Sequence, residues 1–135
     1  IYDDFAAADL IVAHNVRFDI NFMIAEFCYQ DRRFRYKNEF DTMKFFTPIM
    51  KLTRENHKGY KYPKLSEMIE YLDIYPYDVT RKTAELFSVT GAGGHDARYD
   101  STALYLAFNE GAKRVEELSD IKRKHISHSS DEDDF

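Results

Sequence analysis

The chain has 135 residues, of which 44% are hydrophobic and 16% aromatic, and its formal net charge is −5. This length and composition fit one domain with an apolar core. No apolar run approaches the length of a membrane span, no segment has the pattern of a secretory signal, and the net charge gives no general attraction to nucleic acid. The single cysteine, Cys28, excludes an internal disulfide; its apolar neighbours predict that it is buried, and a lone thiol favours a cytoplasmic location.

The charge is unevenly distributed along the chain. Residues 1–29 carry a net charge of −4, residues 30–64 a net charge of +6, and residues 65–135 a net charge of −7. The basic middle segment is interpreted either as an ordinary solvated face or as a surface that meets phosphate groups.

The first third of the chain alternates helix and strand signals. Residues 1–8 predict the last turns of a helix. The run Leu10–Ala13, with its β-branched residues, predicts a short buried strand. A helix to about Arg32 is predicted next, because apolar residues recur at roughly helical spacing; these residues are Phe18, Phe22, Ile24, Phe27 and Cys28. Residues 36–40 predict a second, weaker strand.

The rest of the chain predicts helices joined by polar loops. Pro48 is expected to kink or bound the first of these helices, and Pro63 to occupy the first turn of the second. Ser88–Gly94 predicts a glycine-rich loop, and the acidic residues 129–135 predict a disordered tail. The predicted helices span residues 43–52, 63–72 and 96–118, and a basic loop is predicted at residues 53–62. The second of these helices is expected to bury a face made of Leu65, Met68, Ile69 and Leu72, and the third to turn Ala103, Leu104, Ala107 and Phe108 inward.

Strands that alternate with helices predict an α/β fold. Only two strands are visible, which is too few for a stable sheet, so further strands are expected upstream of Ile1. Since the chain starts at Ile1 and not at Met, we expect the natural protein to be longer at its N-terminus.

Two short clusters carry the candidate chemistry. Ala13–Asp19 lies where a strand ends and a helix begins, which is where ligand sites gather in α/β sheets. His95–Asp100 runs from the glycine-rich loop into a helix. An inward carboxylate at Asp100 suits a divalent cation, and the imidazole of His95 can take a proton from water near neutral pH.

Each of these residues also has a purely structural interpretation. His95 and Asp100 could be an exposed loop residue and an exposed helix residue. Asp19 could be an acid favoured by the dipole at a helix N-terminus. His14 could be a hydrogen-bonded residue at a strand end, and Asn15 a cap or turn residue.

Together the two clusters resemble motifs of one family. His14-Asn15-x-x-Phe18-Asp19 resembles the second motif of the DnaQ-like (DEDDh) 3′→5′ exonucleases, and His95-x-Ala97-x-x-Asp100 resembles their third motif. Phe40-Asp41-Thr42 and Lys64-Leu65-Ser66 are similar to further landmarks of that family, which includes proofreading subunits of bacterial DNA polymerase III.

The resemblance implies an RNase H-like fold and a two-metal hydrolysis of terminal phosphodiester bonds in single-stranded DNA or RNA, with Mg²⁺ or Mn²⁺ as cofactor. Asp19 and Asp100 would be metal ligands, and His95 would be the general base. Nucleoside 5′-monophosphates would be released, in proofreading or in trimming. His14, Asn15 and Phe18 would contact the substrate, with a place in the core as the alternative for Phe18.

Further contacts and partners complete this hypothesis. An enzyme that acts on single-stranded ends holds unpaired nucleotides by stacking and backbone contacts, so Tyr99 and the basic loop are candidate contacts with the nucleic acid. A DNA polymerase and a second copy of the chain are further candidate partners. The exonuclease domain would cover residues 1–118. Residues 119–135 would form a C-terminal extension that ends in the acidic tail.

The chain departs from the family in one respect. The first motif, an Asp-x-Glu on the first strand that supplies two of the four carboxylates, is absent. Asp3-Asp4 has neither its spacing nor its strand context, so the chain as printed is expected to be inactive alone. The competing hypothesis is a non-catalytic, degenerate exonuclease-like module that docks on a polymerase or a nucleic acid.

Overall fold

The computed structural model describes residues 2–93 and 96–126, and its architecture is mixed α/β, which confirms the predicted class. No helix within these residues is long and apolar enough to cross a bilayer. The elements, in chain order, are α1 (Tyr2–Ala7), β1 (Ile11–Ala13), α2 (Val16–Tyr29), β2 (Glu39–Asp41), α3 (Thr42–Met50), α4 (Leu65–Tyr71), α5 (Pro76–Phe87), α6 (Ala97–Arg114) and α7 (Glu116–Ile126).

The sheet of the described residues consists of β1 and β2, which run parallel. Ala13 lies opposite Asp41 in the register. Parallel strands need a long crossover connection, and α2 with the segment after it provides one. Because both strands run in the same direction, the residues that follow them, His14 and Thr42, meet at one edge of the sheet.

The larger part of the core lies between α3, α4, α5, α6 and α7. Phe46 of α3 is fully buried at its centre. The spacing of α4 puts Met68, Ile69 and Leu72 on one buried face, as predicted. The predicted inward face of α6 is also confirmed, with Ala103, Ala107 and Phe108 buried and Leu104 packed against them.

A smaller core lies beneath β1 and α2. Phe5 of α1 packs edge-on against Phe27 and Phe34. The rings of Phe27 and Phe34 stack with their centroids 5.6 Å apart. Aromatic contacts of this kind add to the stabilisation from area burial alone.

The helix predicted after β1 is confirmed as α2, but of the apolar residues that predicted it only Phe27 is buried, and the predicted burial of Cys28 was wrong. Phe18 is 66% exposed and Phe22 56% exposed, and Ile24 and Cys28 are also exposed. The buried stripe instead begins at Val16 and Ile20 and continues to Phe27. Two apolar stripes compete on this helix, and the one that meets β1 and the small core is buried.

Pro63 lies outside its predicted position, and Pro48 does not bound α3, so the alternative of a kink at Pro48 stays a prediction. Pro48 lies inside α3, which continues to Met50, so it does not bound that helix. Pro63 precedes α4 instead of starting it, because Lys64 is the N-cap residue. Pro63 is fully buried in this position.

The C-terminal half contains one helix that was not predicted and one that is split. The unpredicted helix, α5, begins with Pro76 at its N-terminus. The predicted helix over residues 96–118 ends at Arg114, and Val115 adopts an extended conformation before α7. The chain turns here because Leu118 packs onto Gly111, where an added Cβ would lie 2.7 Å from the Leu118 Cδ2 atom.

The domain division stays a prediction, and its boundary after residue 118 falls within α7. The predicted acidic tail at residues 129–135 lies outside the described residues. His95 and the end of the predicted glycine-rich loop also lie outside them.

Candidate functional site

The ends of β1 and β2 are joined by the carboxylate of Asp41. Its Oδ1 accepts hydrogen bonds from the backbone N–H of Asn15 at 2.9 Å and of Met43 at 3.0 Å, and its Oδ2 accepts one from Val16 at 3.2 Å. Asp41 therefore caps α3 and also satisfies the first amides of α2, which a helix start leaves without partners. One side chain fixes the direction of both helices.

His14 fills the gap between the strand ends and the segment before α4. Its Nε2–H donates to the Pro63 carbonyl oxygen at 2.7 Å, and its Nδ1 lies 3.0 Å from Thr42 Oγ1. The Thr42 hydroxyl has a single proton, which it can give to Nδ1 or to the Ala13 carbonyl oxygen at 3.2 Å. Both ring nitrogens are engaged, so His14 acts as a positioning residue here, and its predicted substrate contact stays a prediction.

Asn15 carries the turn from strand to helix. Its φ of 75° is in the left-handed region, which asparagine tolerates better than most residues. Its side chain makes no capping hydrogen bond to α2 and is exposed. The turn interpretation of Asn15 is therefore confirmed, and the exposed amide is accessible for the substrate contact that the motif predicts.

Asp19 lies in the first turn of α2 and borders a cavity of about 440 Å³. We name this space the motif cavity; its walls include His14, Asp19, Ile20, Met23, Leu65 and Asp100. Although Asp19 is reached by solvent, partial desolvation raises the pKa of its carboxyl, the charge of Asp41 raises it further, and His14 lowers it.

Asp100 approaches the motif cavity from α6, far along the chain from Asp19. It lies in the first turn of α6 and is half-buried. The helix is started by Asp96, whose carboxylate accepts from the Arg98 backbone N–H at 2.9 Å. The Arg98 guanidinium, together with that backbone bond, lowers the pKa of Asp96 to about 2. Asp96 is thereby assigned to capping, and Asp100 is the acid in the first turn of α6 that borders the cavity together with Asp19.

The structure treats the predicted general base and two predicted substrate contacts, Phe18 and Tyr99, differently. The general base of the predicted mechanism, His95, is outside the described residues and stays a prediction. Phe18 is exposed beside the motif, as a substrate contact requires. Tyr99 is buried, and desolvation raises the pKa of its hydroxyl, so its ring is a wall residue and not a surface contact.

A second cavity, of about 980 Å³, lies on the other side of Asp100. We name it the tyrosine cavity, because Tyr75 and Tyr99 both line it. Leu65 and Asp100 belong to the walls of both cavities. Leu65, which belongs to the landmark Lys64-Leu65-Ser66, is therefore the residue of α4 that meets the motif cavity.

The described residues fit a metal site only in part. No group of three histidine, cysteine, aspartate or glutamate side chains within residues 2–93 and 96–126 could hold a metal ion. Two carboxylates can hold Mg²⁺ when water and a substrate phosphate complete its shell. Asp19 and Asp100 line one cavity and are therefore candidate ligands of one such ion, and the described residues do not supply the four carboxylates of the two-ion site that the resemblance implies.

No protein-family model, curated protein or solved structure matches this chain. The relation to the DnaQ-like exonucleases therefore stays a prediction that depends on the two motifs.

The role of Asp41 was not predicted from the sequence. It entered only as part of the landmark Phe40-Asp41-Thr42. A usable signal was present, because an aspartate directly before a helical segment is typical of an N-cap residue. Its second role, at the start of α2, depends on the register of two strands that no local pattern specifies.

Proposed function

We propose that the protein is a 3′→5′ exonuclease of the DnaQ-like class with an RNase H-like fold. It would hydrolyse the terminal phosphodiester bond of single-stranded DNA or RNA and release nucleoside 5′-monophosphates. The observation that supports the proposal is the meeting of Asp19 and Asp100, which are 81 residues apart in the sequence, on the walls of one cavity. Neither their spacing nor their helices alone would bring them there.

In this proposal each residue of the site has a distinct role. Asp19 and Asp100 bind Mg²⁺ or Mn²⁺, whose chemistry when bound is to stabilise charge on phosphate oxygens. His95 takes the proton of the attacking water. His14 and Asp41 position the start of α2, and hence Asp19, through the hydrogen bonds of the strand ends.

A non-catalytic binding module is the second candidate. It is favoured by the lack, within the described residues, of a third side chain that could complete a metal site. Such a module would hold a strand or a polymerase at the same surface without cleaving a bond. The two candidates differ in whether the nucleic acid becomes shorter.

The test uses the protein at its natural full length, Mn²⁺ and a 5′-labelled single-stranded oligonucleotide. The variants are Asp100→Asn and His95→Ala, and the matched control is Asp120→Asn on α7, which lines neither cavity. We expect a ladder that shortens from the 3′ end, is lost in both variants and is retained in the control. A folded protein without a ladder, or with full activity in Asp100→Asn, would refute catalysis at this site; strand binding without cleavage would then establish the module.

A further inference from the structure

We propose that residues 51–64, the basic hairpin, bind the backbone and bases of a single-stranded nucleic acid next to the motif cavity. The inference rests on the proposed function and deepens it, because it names the surface along which the strand would lie. The partner is single-stranded nucleic acid, and an acidic protein surface is the alternative to be tested.

The charge of the basic hairpin differs from that of the rest of the chain. It contains five lysines and arginines and one acid, which gives a net charge of +4 in a chain whose net charge is −5. Lys51 and Lys58 are exposed and have no ion-pair partner among the described residues. Lys61 is engaged with Glu67 at 2.7 Å. The hairpin therefore offers at least two uncompensated ammonium groups to phosphates.

Aromatic rings accompany these charges. Tyr60 is 44% exposed and Tyr62 is 51% exposed. Exposed rings next to a basic groove are the means by which proteins hold unpaired bases, because every base has a face on which a ring can stack. An acidic peptide would need the charges but not the rings, so the combination favours a single strand.

The hairpin has a defined backbone. Thr53 pairs with Tyr60 in an antiparallel bridge, and the Lys61 N–H donates to the Leu52 carbonyl oxygen at 2.7 Å. The reversal is made by two residues with positive φ, His57 at 56° and Gly59 at 76°. The charges and rings are thus presented by a formed turn, which lowers the entropy cost of binding.

The C-terminal end of the hairpin is attached to the motif cavity. The Pro63 carbonyl oxygen accepts the 2.7 Å hydrogen bond from His14, which is a wall residue of that cavity. The chain then continues into the cavity walls: Lys64 lines the tyrosine cavity, and Leu65 lines both the tyrosine cavity and the motif cavity. A strand whose end occupies the motif cavity would therefore pass over Tyr62 and the hairpin lysines.

The test measures binding in EDTA, which stops metal-dependent cleavage. The probe is a fluorescein-labelled oligothymidylate, its binding to the full-length protein is followed by anisotropy over a salt series, and circular dichroism confirms folding. Combining Lys51→Gln with Lys58→Gln should raise the Kd at least about tenfold. It should also lower the slope of log K against log salt by roughly 1.4, since each neutralised phosphate contributes about 0.7 for single strands. Tyr62→Ser should raise the Kd without changing the slope.

The matched control is Lys124→Gln, an exposed lysine on α7 that should leave both quantities unchanged. Unchanged binding in the lysine variants, or displacement of the probe by polyglutamate as effective as by unlabelled oligothymidylate, overturns the inference. If the protein produces a 3′ ladder but the lysine and tyrosine variants bind unchanged, the proposed role of the hairpin is refuted and the exonuclease proposal stands. If binding depends on the hairpin but no ladder forms, the exonuclease proposal is refuted and the role of the hairpin stands.

Discussion

Replacing Asp41 tests whether one carboxylate holds the two strand ends together. The Asp41→Ala variant loses three acceptor contacts, with the backbone amides of Asn15, Val16 and Met43. Loss of a helix N-cap costs about 1 kcal/mol, and each further hydrogen bond in a partly exposed site about 1 kcal/mol. The free energy of unfolding should therefore fall by roughly 3 kcal/mol, which lowers the Tm by about 10 °C for a chain of this size.

The Asp41→Asn variant distinguishes the contributions of the two carboxylate oxygens of Asp41. The amide oxygen can replace Oδ1 and keep the bonds to Asn15 and Met43, whereas the NH₂ group cannot accept from Val16. This variant should lose about 1 kcal/mol, which is the net value of one hydrogen bond. Hydrogen exchange should become faster at the Val16 amide in both variants, and at the Met43 amide only in Asp41→Ala.

The control for both variants is Asp9→Ala. Asp9 has an exposed ion pair with Lys37 at 3.6 Å, and such pairs contribute little to stability. Urea unfolding monitored by circular dichroism gives the three free energies. If Asp41→Ala costs no more than Asp9→Ala, the carboxylate does not hold the strand ends, and the assignment of Asp41 as their link is wrong.

Three further outcomes concern charge and packing. Asp19→Asn should raise the free energy of unfolding at pH 7, because desolvation raises the pKa of Asp19 in the folded protein and penalises its charged form. Urea titrations should show that this gain in stability disappears as the pH falls below the ordinary pKa value of 3.8. A variant that is less stable than the wild type at neutral pH would contradict the reasoning. Glu67→Gln should instead lower the free energy of unfolding at neutral pH, because the hydrogen bond from Lys61 lowers the pKa of Glu67 in the folded protein. The stabilisation by the Glu67 carboxylate is present above the ordinary pKa value of 4.5 and is lost as the pH falls through the lowered folded value. A variant that is destabilised equally in strong acid would exclude the ion pair as the cause. Gly111→Ala should destabilise the protein by up to about 2 kcal/mol, since overpacking costs about 1–3 kcal/mol and better helix propensity returns about 1 kcal/mol. Its new Cβ would lie 2.7 Å from Leu118 Cδ2, so calorimetry should find it coupled to Leu118→Ala, and a raised Tm would show that this contact relaxes without cost.

Local patterns were sufficient for the elements with a single strong periodicity. The apolar run at β1 predicted a strand because its β-branched residues have no competing helical stripe. In α2 the same reasoning selected Phe18 and Phe22, because the sequence does not show which stripe faces the small core. The decision depends on where Phe5 and Phe34 lie, and these are contacts between distant segments.

The candidate site was predictable in its residues but not in its geometry. Asp19 and Asp100 were selected by their motifs, and their meeting on one cavity depends on α6 reaching a space that β1 and α2 also border. The split between α6 and α7 could not be read from the helical spacing, because it depends on the close approach of Leu118 to Gly111. A glycine within a helical pattern was the available signal, and its meaning depends on a residue that follows the turn.

The wall shared by the motif cavity and the tyrosine cavity has a practical consequence for ligand screening. Because Leu65 and Asp100 face both spaces, a small molecule in either one perturbs the same two residues. Met23 belongs to the wall of the motif cavity and Tyr75 to that of the tyrosine cavity. A methyl signal from Met23 and a ring signal from Tyr75 would therefore identify the occupied cavity, and a compound that shifts both would bridge the two across Asp100.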